Sequence, residues 1–155
     1  MRRMNRVLLA VSIAALAAGC GRDDSGEPID GTIAITVSGE TITPDVGAAI
    51  DDPDDATKAL VILGTRDISC STRINSRLAA GTYLTFAIDR TMGTQAGFIS
   101  VIRVEGGSAN LNGSPGEVII DGIADRVTGS LTFDTTDDQV GPITATGTFD
   151  VRRCF

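Results

Sequence analysis

From residue 31 onward the chain alternates apolar and polar residues with a period of two, and Gly, Asn and Asp interrupt the pattern often. The alternation is clearest over 126–135 and 143–153, where apolar residues or glycine occupy one face and threonine, serine or aspartate the other. Successive side chains of a strand point to opposite faces of a sheet, so this period predicts strands rather than helices. Further strands are predicted over 32–37, 82–89, 97–104 and 117–121, and 60–63 is a short apolar run.

The predicted fold is therefore all-β: an antiparallel β-sandwich or flattened barrel of about seven to nine short strands over residues 31–155. Both faces of 97–104 are expected to be covered, because apolar residues occur on each. The segment 135–141 predicts a hairpin turn between the last two strands. The Gly-rich segment 106–116 predicts a long flexible connection.

Two glycines lie on the inward face of the last two strands, at Gly129 and Gly147. A glycine inside a strand marks either local bending of the sheet or a shallow spot that a partner approaches closely. The bending interpretation is favoured here.

The N-terminus has a different pattern, in which Arg2, Arg3 and Arg6 precede an apolar run over 7–18. This order is typical of an export signal. A twelve-residue helix reaches about 18 Å, well short of the roughly 30 Å hydrocarbon layer of a membrane. Residues 1–19 are therefore predicted to form a signal-peptide helix and not a transmembrane span.

The run ends in Leu-Ala-Ala-Gly-Cys at 16–20, which resembles the lipobox of bacterial lipoproteins. The usual leucine three places before the cysteine is here Ala17, with Leu16 one place further back. The resemblance implies that the thiol of Cys20 receives diacylglycerol and that acyl chains such as palmitate hold the protein in a membrane. Residues 20–30 are polar and predict a lipidated cysteine followed by a flexible tether.

Other interpretations of the N-terminus remain open. An ordinary secretory signal, cut after 15–17 or 17–19, would leave Cys20 as a free thiol. A buried helix is disfavoured because the polar stretch 21–30 follows. In the lipoproteins that the chain resembles, Gly21 rather than Asp after the cysteine implies sorting to the outer membrane. The predicted location is the bacterial cell envelope, with the protein lipid-anchored at the outer membrane.

The net charge of the chain limits the classes of partner that it is expected to bind. Removal of residues 1–19 deletes three arginines and no acidic residue, so the formal net charge moves from −7 to −10. The remaining body has one lysine, Lys58, and its arginines are scattered except for Arg152 and Arg153. Nucleic-acid binding needs clustered Lys and Arg, so no nucleic-acid partner is expected. The expected partners are the membrane, through the anchor, and an envelope protein or surface ligand.

Acylation of Cys20 would leave two of the three cysteines with free thiols. An exported protein enters an oxidising compartment, where such thiols form disulfides. Cys70 and Cys154 are then predicted to form a disulfide. Two free buried thiols and a metal site are the alternatives, but two cysteines without histidine do not complete a tetrahedral zinc shell.

Four short patterns in the body resemble small exported bacterial lipoproteins of unassigned activity. They are the apolar run leading to a cysteine over 60–70, Gly-Thr-x-Leu over 81–84, Gly-x-Val over 116–118 and Gly-Thr-Phe-Asp-x-x-x-Cys over 147–154. The resemblance implies a disulfide-tied β-sandwich, no cofactor and no catalytic residues that carry over.

Acidic clusters are the remaining candidates for chemistry. The chain has no His, which excludes Ser-His-Asp and Cys-His nucleophiles and an imidazole base. Calcium ligation would draw on two groups of aspartates: Asp51, Asp52, Asp54 and Asp55, and Asp134, Asp137 and Asp138. Neither group has the Asp-x-Asp-x-Asp-Gly spacing, so solvated turns are favoured and no metal site is assigned.

The function expected from the sequence is a membrane-anchored envelope lipoprotein with a non-catalytic binding or structural role. The alternative is a carboxylate-dependent envelope hydrolase, with or without calcium. Glu40, Glu105 and Glu117 are the glutamates of the folded body, and nothing in the sequence brings two of them together. The hydrolase requires acids that converge in a concave site, one of them desolvated.

Overall fold

The computed structural model describes residues 27–73 and 78–155, and each regular element in these ranges is a β-strand. The strands are β1 (Asp30–Gly31), β2 (Ala34–Val37), β3 (Glu40–Ile42), β4 (Val46–Asp51), β5 (Lys58–Gly64), β6 (Gly81–Asp89), β7 (Gly93–Glu105), β8 (Ser108–Ile123), β9 (Arg126–Asp137) and β10 (Gly141–Arg153). The predicted all-β class is confirmed. The signal helix expected over 1–19 lies outside the described residues. Within them, no helix is long and apolar enough to cross a membrane.

The strands are more numerous and longer than predicted. The described ranges hold ten, because β1 and β3 have only two and three residues and escape detection by periodicity. Strands β7 to β10 have 12 to 16 residues each, so the last sixty or so residues form long ribbons rather than short strands.

One sheet contains all of these strands, in the order β3-β2-β10-β4-β5-β6-β7-β8-β9, and β9 also pairs with β10. Strand β10 pairs with β9 along one edge and with β2, β1 and β4 in turn along the other. The ring from β4 to β10 therefore closes on itself, as in the flattened-barrel form of the prediction. Among the described strands, only the pairing of β10 with β4 is parallel; it joins Arg152 and Arg153 to Ala48 and Ala49.

The hairpin of β7 and β8 corrects the prediction of a long loop over 106–116. Gly106 and Gly107, at φ values of 56° and 85°, form the turn, and 13 residue pairs connect the two strands. Most of the predicted loop is therefore strand. The segment is rich in turn-forming residues, but pairing with the β-branched β7 outweighs its weak strand propensity.

The inward faces of the strands form one apolar core. The faces predicted from the alternation are confirmed, since the buried residues include Val127, Leu131 and Phe133 of β9 and Ile143, Ala145, Phe149 and Val151 of β10. The ring of Phe86 in β6 meets the ring of Phe149 edge to face, with centroids 5.4 Å apart. This aromatic pair joins two strands that are not neighbours in the sheet and so ties opposite parts of the ring together.

Strand β7 differs from its prediction on the outer face. Ile99 and Val101 lie in the core, and Ile102 on the outer face is only 9% exposed. Phe98, on the same outer face, is 56% exposed. The outer face of β7 is therefore covered at one end and bare at the other.

The two inward glycines accommodate close approach by the backbone of the same chain. A Cβ at position 129 would overlap the carbonyl oxygen of Ile119 and lie 2.9 Å from Cζ of Phe149. Gly147 has a φ of 130°, and a Cβ there would lie 2.6 Å from the carbonyl oxygen of Thr32. Backbone of the same chain, at Ile119 in β8 and at Thr32 between β1 and β2, therefore approaches both glycines closely.

We predict that Gly129→Ala destabilises the domain by about 1–3 kcal/mol, because the added methyl overpacks a site bounded by backbone. The change in the free energy of unfolding is measured by urea denaturation. Ser130→Ala, one residue away on the outward face, is the matched control and should stay within about 0.5 kcal/mol of the wild type. Equal midpoints for Gly129→Ala and the wild type would contradict the packing described here.

Candidate functional site

The connection between β5 and β6 runs across the outside of the sheet instead of turning tightly. Its described residues, 65–73 and 78–80, are called the strap. Ile68 of the strap is fully buried. Cys70 is bonded to Cys154, which follows β10, with an S–S distance of 2.01 Å and Cα atoms 5.3 Å apart. The predicted disulfide is present, and it fixes the strap to the end of the last strand.

A second apolar cluster lies beneath the strap, on the side of the sheet opposite the core. Its buried members are Ala48, Ile50, Leu60, Ile62, Ile68, Tyr83 and Ile102. In β5, Val61 and Leu63 face the core while Leu60 and Ile62 face the strap. A strand that is buried on both faces has no polar side, which explains the uninterrupted apolar run over 60–63.

Tyr83 lies under the strap and is 1% exposed. Its hydroxyl donates a hydrogen bond to the carbonyl oxygen of Ala79 at 2.8 Å. Burial raises the pKa of the Tyr83 phenol, the Asp67 carboxylate raises it further, and Arg66 opposes the shift. The phenol is therefore held in its protonated, donating form, and it ties the strap to β6.

The N-terminal end of the described chain is held at the seam between β4 and β10. The backbone N–H of Glu27 donates to the carbonyl oxygen of Ile68 at 2.6 Å, and the N–H of Gly47 donates to the carbonyl oxygen of Glu27 at 2.8 Å. The Glu27 carboxylate pairs with Nη1 of Arg152 at 2.6 Å. Residues 27–30, the described part of the segment expected to form a tether, thus contact the strap and both strands.

A cavity of about 350 Å³ lies beside the disulfide. Its lining residues are Ile50, Asp51, Pro53, Cys70, Ser71, Thr72, Arg73 and Cys154. Asp51 is already paired with Nη2 of Arg90 at 2.5 Å, and the hydroxyl of Ser71 is hydrogen-bonded to that of Ser69 at 2.9 Å. In the described ranges no three His, Cys, Asp or Glu side chains are grouped to hold a metal ion. The cavity is therefore lined by the hydroxyl groups of Ser71 and Thr72, the Arg73 side chain and a carboxylate that is ion-paired with Arg90.

The acidic run between β4 and β5 stabilises a turn. The Asp52 carboxylate accepts a hydrogen bond from the N–H of Asp54 at 2.9 Å. The Asp55 carboxylate accepts from the N–H and the hydroxyl of Thr57 at 2.9 and 2.6 Å. The bonds from Thr57, first the hydroxyl and then the N–H, lower the pKa of Asp55. These carboxylates accept hydrogen bonds from backbone N–H groups two residues further along the chain, as aspartates in turns commonly do.

Of the aspartates near the last hairpin, Asp137 has a similar role in the turn. Asp137 accepts hydrogen bonds from the N–H groups of Gln139 and Val140 at 2.8 and 2.9 Å. Asp134 lies within β9, opposite Thr144 of β10. The predicted turn over 135–141 is shorter in the structure, because 135–137 belong to β9 and β10 begins at residue 141.

Two glutamates that sequence reasoning leaves apart are brought together by the fold. Nη2 of Arg103 in β7 lies 2.8 Å from the Glu105 carboxylate and 3.9 Å from the carboxylate of Glu40 in β3. Their side chains are 71% and 68% exposed. A general acid of a glycosidase is a carboxyl group held out of water. This exposed pair, already engaged by a guanidinium, does not have that environment.

Arginines and the last aromatic residue close one end of the ring of strands, a feature that sequence reasoning missed. The ring of Phe155 lies 4.6 Å from Cζ of Arg90 and 4.9 Å from Cζ of Arg153. Arg153 also donates to the carbonyl oxygen of Ala124 at 3.1 Å. Cation–π contacts of this kind stabilise by about 0.5–2 kcal/mol. Arg90 lies in the turn between β6 and β7, so no local pattern links it to Phe155.

Comparison with protein-family models, curated proteins and solved structures finds no match to this chain. Functional inference therefore starts from the residues and the geometry above.

We predict that the paired substitution Cys70→Ser with Cys154→Ser lowers the free energy of unfolding by about 2–5 kcal/mol, since the disulfide closes a long loop. Hydrogen exchange should show the first loss of protection at the N–H of Glu27, which donates to the strap. Ser71→Ala, beside the disulfide, is the control. Unchanged stability and unchanged exchange would show that the disulfide does not hold the strap.

We predict that Thr57→Val raises the pKa of Asp55 toward its ordinary value of 3.8, because both the hydroxyl bond and part of the turn geometry are lost. A lowered folded-state pKa stabilises the fold above the unfolded-state pKa, and this contribution disappears as the pH falls through the folded-state pKa. Carboxyl NMR titration measures the shift, with Thr136→Val as the control. An unchanged titration of Asp55 in Thr57→Val would contradict the assignment.

Proposed function

We propose that this chain is a lipid-anchored protein of the bacterial cell envelope whose β-domain acts by binding or as part of an assembly, without catalysis. The observation that carries the proposal is the lipobox-like segment 16–20, with arginines and an apolar run before it and a polar stretch after it. Cys20 lies outside the described residues, so the attachment itself is inferred from the sequence.

The fold is compatible with such an anchor. Seven residue steps separate Cys20 from Glu27, and they span at most about 25 Å when fully extended. Glu27 is held by two backbone hydrogen bonds and by its ion pair with Arg152. Lipidation at Cys20 would therefore keep the domain close to the bilayer.

The disulfide also supports the proposal. Disulfides form and persist in oxidising compartments such as the periplasm, and they are rare in the cytosol. An export signal and a Cys70–Cys154 bond are therefore two independent features with the same implication. Two or three acyl chains, at about 0.8 kcal/mol per buried methylene, would make membrane attachment stable.

A binding or structural role is favoured over the hydrolase alternative because of where the acids lie. Asp52, Asp55 and Asp137 bond to turn backbone. Glu40 and Glu105 are exposed and share an arginine. A hydrolase of this class needs a desolvated carboxyl beside a second acid in a concave site.

We predict that Cys20→Ser moves the protein from the membrane fraction to the soluble fraction of exported protein, because the thiol that accepts the lipid is lost. Cells are grown with an alkyne-tagged fatty acid, and label and fractionation are read on the same samples. Wild type and the control Ser25→Ala should be labelled and membrane-bound. Retention of unlabelled Cys20→Ser protein in the membrane would refute the lipoprotein assignment.

A further inference from the structure

The two cysteines of the disulfide have different surroundings. Cys70 is exposed, whereas Cys154 is half-buried and packs against the apolar cluster beneath the strap. The backbone N–H of Cys154 donates to the carbonyl oxygen of Ala49 in β4 at 2.8 Å. Cys154 is thus held by the sheet, and Cys70 is the half of the bond that a molecule in solution reaches.

Cys70 is carried by a turn whose hydrogen bonds are local. The N–H of Thr72 donates to the carbonyl oxygen of Ser69, and the N–H of Ser69 donates to Oγ1 of Thr72, both at 2.9 Å. The hydroxyl oxygens of Ser69 and Ser71 are 2.9 Å apart. These bonds lie within the strap and none of them reaches the sheet. The turn therefore presents Cys70 outward without support from the strands beneath it.

Non-covalent contacts also hold the strap. Ile68 is fully buried, and its carbonyl oxygen accepts the hydrogen bond from the N–H of Glu27. The Tyr83 hydroxyl donates to the carbonyl oxygen of Ala79. Contacts as few as these open by local fluctuation, whereas 12 paired positions join β9 to β10. Opening of the strap therefore does not require the ring of strands to open.

The surroundings of the disulfide suit an anionic sulfur nucleophile. Both cysteines and Arg73 line the cavity of about 350 Å³, and Asp51 in the same lining is paired with Arg90. Residues 65–80 carry three arginines and one aspartate, a formal net charge of +2, although the chain without residues 1–19 carries −10. Thiolates rather than thiols attack disulfides, and positive charge nearby favours the thiolate form of a sulfur.

From these observations we infer that the Cys70–Cys154 bond is a thiol-exchange site, at which a dithiol protein of the exported compartment attacks Cys70 and releases the strap. In the resting protein the bond is closed and the strap covers the apolar cluster. After reduction the strap opens while the ring of strands stays closed. Exposed disulfides are the ones that exchange readily, whereas structural disulfides resist reduction. The inference shares with the proposed function only the requirement for export and does not depend on lipidation of Cys20.

The exchange has two steps. A thiolate of the dithiol attacks Sγ of Cys70, the S–S bond breaks, and its electron pair leaves with Sγ of Cys154, which takes a proton from water. The second thiolate then attacks the dithiol sulfur of the mixed disulfide, so that Sγ of Cys70 departs as a thiolate and is protonated. The dithiol gives up two electrons and two protons to become a disulfide, and the two cysteines gain them.

Trapping of the mixed disulfide tests the inference on the full exported chain. The probe is a reduced dithiol protein of the thioredoxin type whose second cysteine is replaced by serine, so that only the first step occurs. The adduct is expected at Cys70, with Cys154 free for alkylation, as peptide masses will show. The paired substitution Cys70→Ser with Cys154→Ser is the control and should give no adduct.

The rate of adduct formation distinguishes an accessible bond from one that reacts only after unfolding. In folded protein the rate should lie within about tenfold of the rate in unfolded protein and stay constant at urea concentrations below the unfolding transition. A bond that reacts only through global unfolding would be about a thousandfold or more slower in the folded state, and its rate would rise with urea.

Hydrogen exchange on the reduced and alkylated protein tests the release of the strap. Loss of protection should be confined to strap contacts such as the N–H of Glu27, while the N–H groups shared by β9 and β10 keep theirs. No adduct, an adduct at Cys154, a rate that follows the unfolded fraction, or loss of protection in β9 and β10 would overturn the inference. Fractionation of Cys20→Ser reports on the anchor alone, so failure of the anchorage and failure of the exchange give different results.

Discussion

The Cys70–Cys154 disulfide is the constraint on which the organisation of this domain depends, because it holds a second layer against the sheet. The inward face of the closed sheet is filled by its own side chains. The outward face of β4, β5 and β6 is also apolar, and the strap covers it with the fully buried Ile68. The disulfide joins that strap to the residue after β10, so the closing strand and the covering layer are fixed together. Covering the outer face is therefore part of the fold and not an addition to it.

The backbone pairing of strand β10 also holds the sheet closed. It pairs with β9 over most of its length and with β2, β1 and β4 on its other edge. A closed ring has few free edges, which limits unwanted pairing with other chains. In the described part of the chain, the outer face of β7 and β8 exposes the large apolar side chains of Phe98, Leu111 and Ile119.

Sequence patterns predicted the parts of the structure that have one buried face. The alternation over 126–135 and 143–153 identified the strands and the inward residues, because the period of two is fixed by the pleat. The run over 60–63 could be recognised as buried but not placed, since a strand covered on both sides has no polar face to orient it. The segment 106–116 contains turn-forming residues and was interpreted as a loop, and only long-range pairing with β7 makes it a strand.

At the candidate sites, too, some contacts could be predicted from the sequence and others could not. The pairing of Cys70 with Cys154 was predictable because a chain that is exported and acylated at Cys20 would retain two free cysteines. The clustering of Glu40 and Glu105 on Arg103, and of Arg90 and Arg153 on Phe155, was not. Each joins residues from distant strands, and single-sequence patterns carry no information on which strands become neighbours.

The intact mass of the exported protein tests the central claim most directly, since one measurement reports the processing site, the lipid and the disulfide together. The account predicts a chain that begins at Cys20, is heavier by a diacylglyceryl group and acyl chain, and is lighter by two hydrogens than its fully reduced form. It also predicts no alkylation of thiols before reduction. A chain that begins elsewhere with an unmodified Cys20, or that has alkylatable Cys70 and Cys154 in the folded protein, would contradict it.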